Sequence, residues 1–253
     1  MNIMNWSAFF RNAGIVGSRY LILSGIAFLL CYVLLRRIIQ HKKIQQRFPK
    51  IGDYARELFF SLLSILILAF IPTIILNTPQ ISRHTFFYKD IHQYSMVYFV
   101  LAFPLMAIIH DTYFYWAHRL MHHPKWFKWV HLVHHKSTNP SPFAAYAFHP
   151  LEAVVESGIF LIFVFTMPVH LFHLLFFFLF MIIYNVYGHL GWELYPKGFS
   201  KHRLGKWINT SVAHNQHHQY FKGNYGLYFL FWDRMMGTLR EDYDEKFSTV
   251  KNK

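Results

Sequence analysis

Charged residues and cysteine are scarce in this 253-residue sequence. Only 15% of the residues are charged, whereas soluble domains usually carry about 25%. Since 54% of the residues are hydrophobic and 20% are aromatic, much of the surface is expected to face lipid. The single cysteine, Cys31, lies within an apolar run, which excludes intrachain disulfides, thiolate-rich zinc sites and Cys-ligated iron–sulfur clusters. Any metal must therefore be bound by nitrogen and oxygen ligands.

The formal net charge of +13 raises the question of nucleic-acid binding. Lysine and arginine residues cluster at the ends of apolar runs and form no separate basic domain. This pattern favours anchoring at an anionic membrane face. No nucleic-acid recognition motif accompanies the charge, so we expect a membrane and no nucleic acid as partner.

Five apolar runs are candidates for membrane helices, which usually need about 20 residues. They are residues 20–35, 58–76, 94–109, 154–167 and 169–187. The first is too long and hydrophobic for a cleaved signal peptide. The last two adjoin at Pro168 and form a hairpin that either crosses the bilayer or stops short of it. The predicted fold is all-α, an integral membrane protein with four to five spans or hairpin helices.

The distribution of basic residues predicts the orientation of these spans. The connection between the first two spans is rich in lysine and arginine, whereas the next holds only Arg83 and Lys89. The positive-inside rule places the first connection in the cytoplasm. The segments that follow the third span and the hairpin then also lie on the cytoplasmic side.

Three histidine boxes fall in those two segments. The first contains His118, His122 and His123, the second His131, His134 and His135, and the third His214, His217 and His218. Residues three and four apart share a helix face, so each box is expected to present two or three imidazoles in one direction. The first two boxes are expected on consecutive helices broken near Pro124. Imidazole suits zinc, copper, iron and nickel, and we expect the boxes to form a cytoplasmic-side helical cap that binds metal.

Single histidines near the boxes are candidates to complete the site. His189 follows the last span directly, so it is either a metal ligand or an interface anchor, and we favour a ligand. His149 is included as a candidate ligand, although a structural role fits it equally well. His110 shares the face of the first box or simply ends a span.

The number of candidate ligands favours two metals over one, because zinc sites usually take three or four protein ligands. No glutamate lies within a box to act as a hydrolytic base. A His-rich zinc protein, either a transporter or a hydrolase, remains the alternative.

Metal-bound imidazoles normally donate their second N–H to a carboxylate or carbonyl. The candidate acidic partners are Asp111, Glu152, Glu156 and Asp233.

The boxes and their surroundings resemble the fatty acid hydroxylase/sterol desaturase superfamily. The matching motifs are His110-Asp111, Phe114-Tyr115-Trp116-Ala117-His118-Arg119, Ser137-Thr138-Asn139-Pro140, His149-Pro150-Leu151-Glu152, Asn224-Tyr225-Gly226 and Phe231-Trp232-Asp233-Arg234-Met235-Met236-Gly237-Thr238. We accordingly expect an N-terminal transmembrane region at 1–93, a catalytic region at 94–240 and a polar C-terminal tail at 241–253.

The resemblance implies a membrane oxidoreductase that binds two iron ions and uses dioxygen to hydroxylate or desaturate a lipid. The implied ligands are His118, His122, His123, His131, His134, His135, His189, His214, His217 and His218, with His149 less secure. A separate electron donor is also implied, either a cytochrome b-type or a ferredoxin-like protein with its reductase. The implied location is the endoplasmic reticulum or the bacterial inner membrane. The lipid itself stays open.

Overall fold

Helices make up most of the computed structural model, which describes residues 5–252. The predicted regions 1–93 and 241–253 each extend beyond these limits, to residues outside the described part. In chain order the helices are α1 (Trp6–Phe28), α2 (Ile51–Asn77), α3 (Pro79–Ser82), α4 (Met96–Met121), α5 (Pro124–Val130), α6 (Leu132–His135), α7 (Pro150–Thr166), α8 (Leu171–Gly188), α9 (Ser211–Tyr220), α10 (Phe231–Met235) and α11 (Tyr243–Lys251). Short 3₁₀ turns lie at Gln40–Lys42, Pro142–Tyr146, Phe199–Lys201 and Gly205–Trp207.

Within residues 5–252, four helices are long and apolar enough to cross a membrane. They are α1 with its π-helical extension (Trp6–Leu34), α2, α4 and α8. The all-α membrane fold predicted from the sequence is therefore confirmed. The first of these helices begins at Trp6, well before the predicted start, because Asn5 caps it by accepting from the backbone N–H of Ala8. A run without charged residues therefore marks a shorter segment than the helix that contains it.

Helices α7 and α8 form the predicted hairpin. At 17 residues, α7 falls outside the set of four long apolar helices. The tip of the hairpin reaches strand β1 (Phe87–Tyr88), which lies between α3 and α4 and pairs in parallel with strand β2 (Val169–His170). The backbone N–H of Phe86 also donates to the carbonyl of Val164 at 2.7 Å. The hairpin therefore extends as far as the α3–α4 connection, at the end of the bundle opposite the histidine boxes.

The apolar core lies between α4, α7 and α8. Met106, Phe163 and Phe177 are buried there. The rings of Phe163 and Phe177 meet edge to face with their centroids 5.2 Å apart, a preferred arrangement for aromatic pairs. This packing fixes the ends of α4 and α8, from which the boxes and His189 continue.

The predicted polar tail contains helix α11. Tyr243, Phe247 and Val250 lie one helical turn apart and are buried against Val212 and Ala213 of α9. The apolar face of α11 is thus part of the support of the third histidine box.

Candidate metal centre

All three boxes and His189 meet at one end of the bundle. Helix α4 continues through His118 and ends at Met121, so that His122 is its C-cap. A break before Pro124 separates it from the second box, as predicted, and the last two histidines of that box lie on α6. The third box lies on α9, and His189 is the C-cap of α8. The long helices α4 and α8 and the short helices α6 and α9 thus bring histidines to the same region.

Five histidines form one group, called here the five-histidine cluster. Its members are His118, His122, His131, His135 and His217. The Nε2 atoms of His118 and His131 are 2.9 Å apart. The Nε2 atom of His135 lies 3.0 Å from those of both His122 and His217. One nitrogen of each ring therefore points to a common centre.

Four further histidines form the four-histidine cluster. Its members are His134, His189, His214 and His218. The Nε2 atom of His189 lies 3.3 Å from that of His134 and 3.1 Å from those of His214 and His218. The rings of His135 and His218 stack at 5.0 Å across the boundary between the two clusters, so the two groups adjoin.

Adjacent histidines within a box point to different clusters. His134 belongs to the four-histidine cluster and His135 to the other, and the same holds for His218 and His217. Neighbouring residues of an α-helix are about 100° apart, so one His–His pair can face two centres. The expectation that residues three and four apart point in one direction holds for the pairs four apart. It fails for the pairs three apart, because His131 and His134, like His214 and His217, belong to different clusters.

In several of these histidines, one ring nitrogen is hydrogen-bonded to the protein. The other ring nitrogen is then free to bind a metal. The Nδ1 atom of His118 lies 2.9 Å from the carbonyl oxygen of Tyr225, that of His131 2.7 Å from the Glu152 carboxylate, and that of His217 2.8 Å from the carbonyl oxygen of Gly223. Carbonyl and carboxylate oxygens accept, so Nδ1 carries the proton and Nε2 presents a lone pair. In the other cluster, His189 donates from Nδ1 to the carbonyl of Asn185 at 2.8 Å.

These free lone pairs fit a metal ion. The Nε2 atoms of His118 and His131 face each other without a proton between them, which is repulsive unless a cation lies there. Two nitrogen ligands at about 2.1 Å from one ion and 90° apart would be about 3.0 Å from each other. The observed separations of 2.9–3.3 Å within both clusters agree with that value. The all-imidazole donor set therefore suits a transition metal.

Burial keeps the cluster histidines neutral. It lowers the pKa of His131, His135 and His217 well below the usual range for histidine, and neighbouring imidazoles lower it further. Burial likewise lowers the pKa of His189 to about 4. Neutral imidazole is the form that binds metal, so protons compete little for these nitrogens at neutral pH.

Two predicted ligands lie outside both clusters. His123 is exposed, and its Nδ1 accepts from the backbone N–H of Lys125 at the start of α5. His149 accepts in the same way from Leu151 at the start of α7. Each of these two rings therefore caps the N-terminus of the helix that follows it. Neither histidine belongs to the ligand set proposed below. His110 is buried and pairs through Nδ1 with the hydroxyl of Tyr228 at 3.0 Å.

Of the four candidate acidic partners, one contacts a cluster histidine directly. That residue is Glu152, which accepts from His131. Asp111 accepts from the backbone N–H groups of Tyr228 and Phe229, and Asp233 from those of Tyr225 and Gly226. Asp111 and Asp233 therefore hold the 223–230 loop, whose carbonyl oxygens orient His118 and His217. Glu156 instead lines a cavity beside the clusters.

Sequence reasoning missed several supporting groups. Glu57 of α2 is buried and accepts from Ser137 at 2.7 Å and from Ser141, which both follow the second box. Gly223 has a φ of +80°, a left-handed conformation that favours glycine, and it turns its carbonyl towards His217. Glu57 stands beside Arg56, just before the apolar run at 58–76, so it looks like an ordinary charged residue at the end of a span. Carbonyl acceptors leave no signal in the sequence.

Comparison with known proteins agrees with this arrangement. A model of the fatty acid hydroxylase family matches residues 103–238, more than half of the chain. The matched region includes every histidine of the two clusters. No solved structure matches the chain significantly.

Several curated relatives have names that describe sterol enzymes. A Delta(7)-sterol 5(6)-desaturase of Gibberella zeae is 34% identical over 66% of this chain and 50% of its own length. A second, from Aspergillus fumigatus, is 37% identical over 59% of this chain and 40% of its own. Lathosterol oxidase of Rattus norvegicus is 30% identical over 75% and 62%, respectively. The chain spans about half the length of these first two relatives.

Proposed function

The chain belongs to the fatty acid hydroxylase family, and on that basis we propose that it is a membrane oxidoreductase that hydroxylates or desaturates a lipid with dioxygen. The observation that carries this proposal is the pair of adjoining, buried, all-imidazole clusters. Their donor set suits a redox metal and contains no carboxylate base of the kind that zinc hydrolases use.

We propose that each cluster holds one iron ion. One ion would be bound by His118, His122, His131, His135 and His217, and the other by His134, His189, His214 and His218. When bound, two such ions supply the redox chemistry that activates dioxygen for attack on an unactivated C–H bond. Under this proposal the catalytic region corresponds to residues 94–240, and residues 1–93 form the N-terminal transmembrane region.

The protein's own contribution is to orient the imidazoles and to exclude water. Glu152 and the carbonyl groups of Tyr225 and Gly223 hold three rings through Nδ1, and partners of this kind normally contribute 10- to 100-fold to metal affinity. The ring of Phe127 lies 5.2 Å from that of His122, and the ring of Phe148 lies 5.3 Å from that of His134. These aromatic walls protect a reactive centre from water.

A lipid substrate is supported by the cavity beside the clusters and by the relatives. Phe114 and Phe148 line the cavity and contact His118 and His134. The relatives' names refer to Delta(7)-sterols and lathosterol. We propose a sterol, a fatty acyl chain or a related lipid as the substrate.

The remaining assignments concern electrons and location. Hydroxylation with dioxygen consumes two electrons and two protons for each water formed, and desaturation draws on the same supply. We propose a separate donor, either a cytochrome b-type or a ferredoxin-like protein with its reductase.

We place the clusters on the cytoplasmic side of the endoplasmic reticulum or bacterial inner membrane, since the basic α1–α2 connection lies at the same end of the bundle.

Metal analysis and dioxygen uptake on the purified full chain test the proposal. We expect two irons per chain and an uptake of dioxygen that depends on added lipid and reductant. Stoichiometric zinc with no lipid-dependent uptake would contradict the proposal and favour the zinc alternative.

A single substitution sharpens the same test. We expect His134→Ala to lose iron from the four-histidine cluster and to abolish turnover, because that cluster would keep only three imidazoles. Turnover at the unsubstituted rate would exclude His134 as a ligand. Thr166→Val, at the exposed last residue of α7, is the control and should retain both irons.

A further inference from the structure

The rings that contact the two histidine clusters differ in how easily they lose an electron. Most of them are phenylalanines, namely Phe114, Phe127, Phe148 and Phe221. Within residues 5–252, the one tyrosine or tryptophan ring in contact with a cluster imidazole is that of Tyr225. It lies 5.1 Å from the ring of His122 and 5.6 Å from that of His217. Phenylalanine resists one-electron oxidation, whereas tyrosine forms a radical readily, so Tyr225 is the exit for an oxidising equivalent at the five-histidine cluster.

Further oxidisable rings continue from Tyr225 to the surface. The ring of Tyr115 lies 6.3 Å from that of Tyr225 and stacks on that of Trp232 at 6.0 Å. The ring of Trp116 lies 5.7 Å from that of Trp232. Tyr225 and Tyr115 are buried, Trp232 is half-buried and Trp116 is 43% exposed. These four rings, called here the aromatic series, therefore form a continuous path from the five-histidine cluster to the surface.

The hydroxyl of Tyr115 is bonded so that its proton has an acceptor. It lies 2.9 Å from Oγ1 of Thr238, which donates to the Asp233 carboxylate at 2.7 Å. Arg119 donates to the Tyr115 oxygen at 3.2 Å. Because Thr238 uses its own proton on Asp233, its oxygen accepts from Tyr115. A phenol that loses an electron releases its proton, so this path to a carboxylate favours oxidation of Tyr115.

We propose that the aromatic series carries oxidising equivalents from the five-histidine cluster to the surface when no lipid is bound to accept them. The imidazoles are thereby protected from oxidation. This inference rests on the proposed function, because it needs an oxidising centre in the cluster.

Each event moves one electron inwards. Tyr225, which is 8% exposed, gives an electron to the centre and its phenolic proton to water. Tyr115 then reduces Tyr225, which regains a proton from water, and the proton of Tyr115 moves through Thr238 to Asp233. The two indoles reduce Tyr115, which takes its proton back. A one-electron reductant, either the separate donor proposed above or ascorbate, finally reduces Trp116, so that one electron passes from the reductant to the centre.

Peptide mass spectrometry tests where oxidation arrives. The iron-loaded full chain is reduced, freed of excess reductant and exposed to dioxygen without lipid. We expect oxygen adducts on Trp116 and Trp232, since no reductant is left to quench their radicals. Tyr225→Phe should lose these adducts and acquire oxidised histidine in the five-histidine cluster. This variant keeps the backbone carbonyl that orients His118.

Tyr220→Phe is the matched control. Tyr220 lies at the same end of the molecule, on α9, and is 41% exposed with the guanidinium of Arg240 over its ring at 4.1 Å. This variant should give the same adducts as the unsubstituted chain. Unchanged adducts on the tryptophans in Tyr225→Phe would overturn the proposal, as would their absence from an unsubstituted chain that holds iron and consumes dioxygen.

A flash experiment tests the outer steps without iron. The full chain carries zinc, which has no redox chemistry, and a ruthenium photo-oxidant tethered at Met235→Cys in a Cys31→Ala background. Met235 is exposed and lies three positions after Trp232. We expect the absorption of a tryptophan radical to decay as that of a tyrosyl radical grows, more slowly in heavy water. Tyr115→Phe should lose the tyrosyl signal and prolong the tryptophan signal.

The two experiments separate this inference from the proposed function. A tyrosyl signal that persists in Tyr115→Phe would overturn the route, whatever metal the clusters bind. Zinc as the natural metal, with no lipid-dependent uptake of dioxygen, would overturn the proposed function and with it the oxidant that the series needs. Iron with uptake, and adducts that do not depend on Tyr225, would overturn this inference alone.

Discussion

At the scale of single residues, the position of a histidine in its helix decides whether its ring joins a cluster. Membership of a histidine box is not sufficient. His122 lies at the C-cap of α4, where its ring contacts those of His118, His131 and His135. His123, the next residue, has left the helix and caps α5 instead. One step along the chain thus separates a cluster histidine from a structural one.

This pair makes a matched test of the five-histidine cluster. We expect His122→Ala to lower the affinity for metal by at least tenfold, because it removes one of five convergent imidazoles. His123→Ala should leave the metal content unchanged and at most lower the melting temperature slightly through the lost cap. Metal titration of the two purified variants, followed by elemental analysis, measures both effects.

Equal loss of metal in the two variants would contradict the assignment of His123 as a cap. Retention of full metal affinity in His122→Ala would exclude that residue from the cluster.

At the scale of secondary-structure elements, α9 is unusual because it is a polar helix that is nevertheless buried. His214, Asn215, Gln216, His217 and His218 are all buried on it. Its sequence contains few apolar residues, so its burial depends on its neighbours. Helix α8, the 223–230 loop and helix α11 surround it, and Glu193 accepts from the backbone N–H of Val212 at 3.1 Å near its start. The third box is therefore positioned by the loop that follows it and by two helices more distant in sequence.

The contribution of α11 can be measured with one residue from each of its faces. Phe247 is fully buried against α9, whereas Thr249 is exposed. We expect Phe247→Ala to destabilise this end of the protein by about 3–5 kcal/mol, the usual cost of a buried Phe→Ala cavity, and to weaken metal binding. Thr249→Ala should change neither property.

Thermal unfolding and metal titration in detergent measure the two effects. Normal stability and metal affinity in Phe247→Ala would mean that α11 does not support the third box.

At the scale of the whole molecule, the bundle separates two ends. The boxes, His189 and the basic α1–α2 connection share one end, where Gln45 donates to the carbonyl of Thr138 at 2.8 Å and to Asn215 at 3.0 Å. The β1–β2 pair joins the hairpin tip to the α3–α4 connection at the other end. A bilayer between these ends would leave the clusters on one side of the membrane.

Cysteine labelling tests this orientation, since Cys31 is the only natural cysteine and can be replaced by alanine. In spheroplasts of a bacterium producing the chain, we expect an impermeant maleimide to label His92→Cys and not Lys128→Cys. Both positions are exposed, at opposite ends of the bundle. After membrane disruption, both should be labelled.

The Cys31→Ala parent gives the background. The reverse pattern would place the boxes outside the cytoplasm, and labelling of both positions in intact spheroplasts would contradict the four spans.

The membrane fold, the resemblance and the nine cluster histidines could all be predicted from the sequence, because each depends on local composition, spacing or motif. Hydropathy over about 20 residues predicts a span, and repeated boxes indicate a metal site. The same reasoning included His123 and His149 in the ligand set, since spacing does not reveal where a helix ends. The sequence left two alternatives for His189, and the position of its Nε2 atom, 3.1–3.3 Å from those of three other imidazoles, favours the ligand role.

What the sequence determined by itself was the chemistry available, namely many imidazoles, one cysteine and long apolar helices. Only the tertiary structure decided how the imidazoles divide into two clusters and which carbonyl groups orient them. The physical reason is that these features depend on contacts between residues more than 100 positions apart in the sequence, such as His110 with Tyr228. Local patterns do not record such contacts, so the histidine boxes indicate a metal site and the packing around them determines its form.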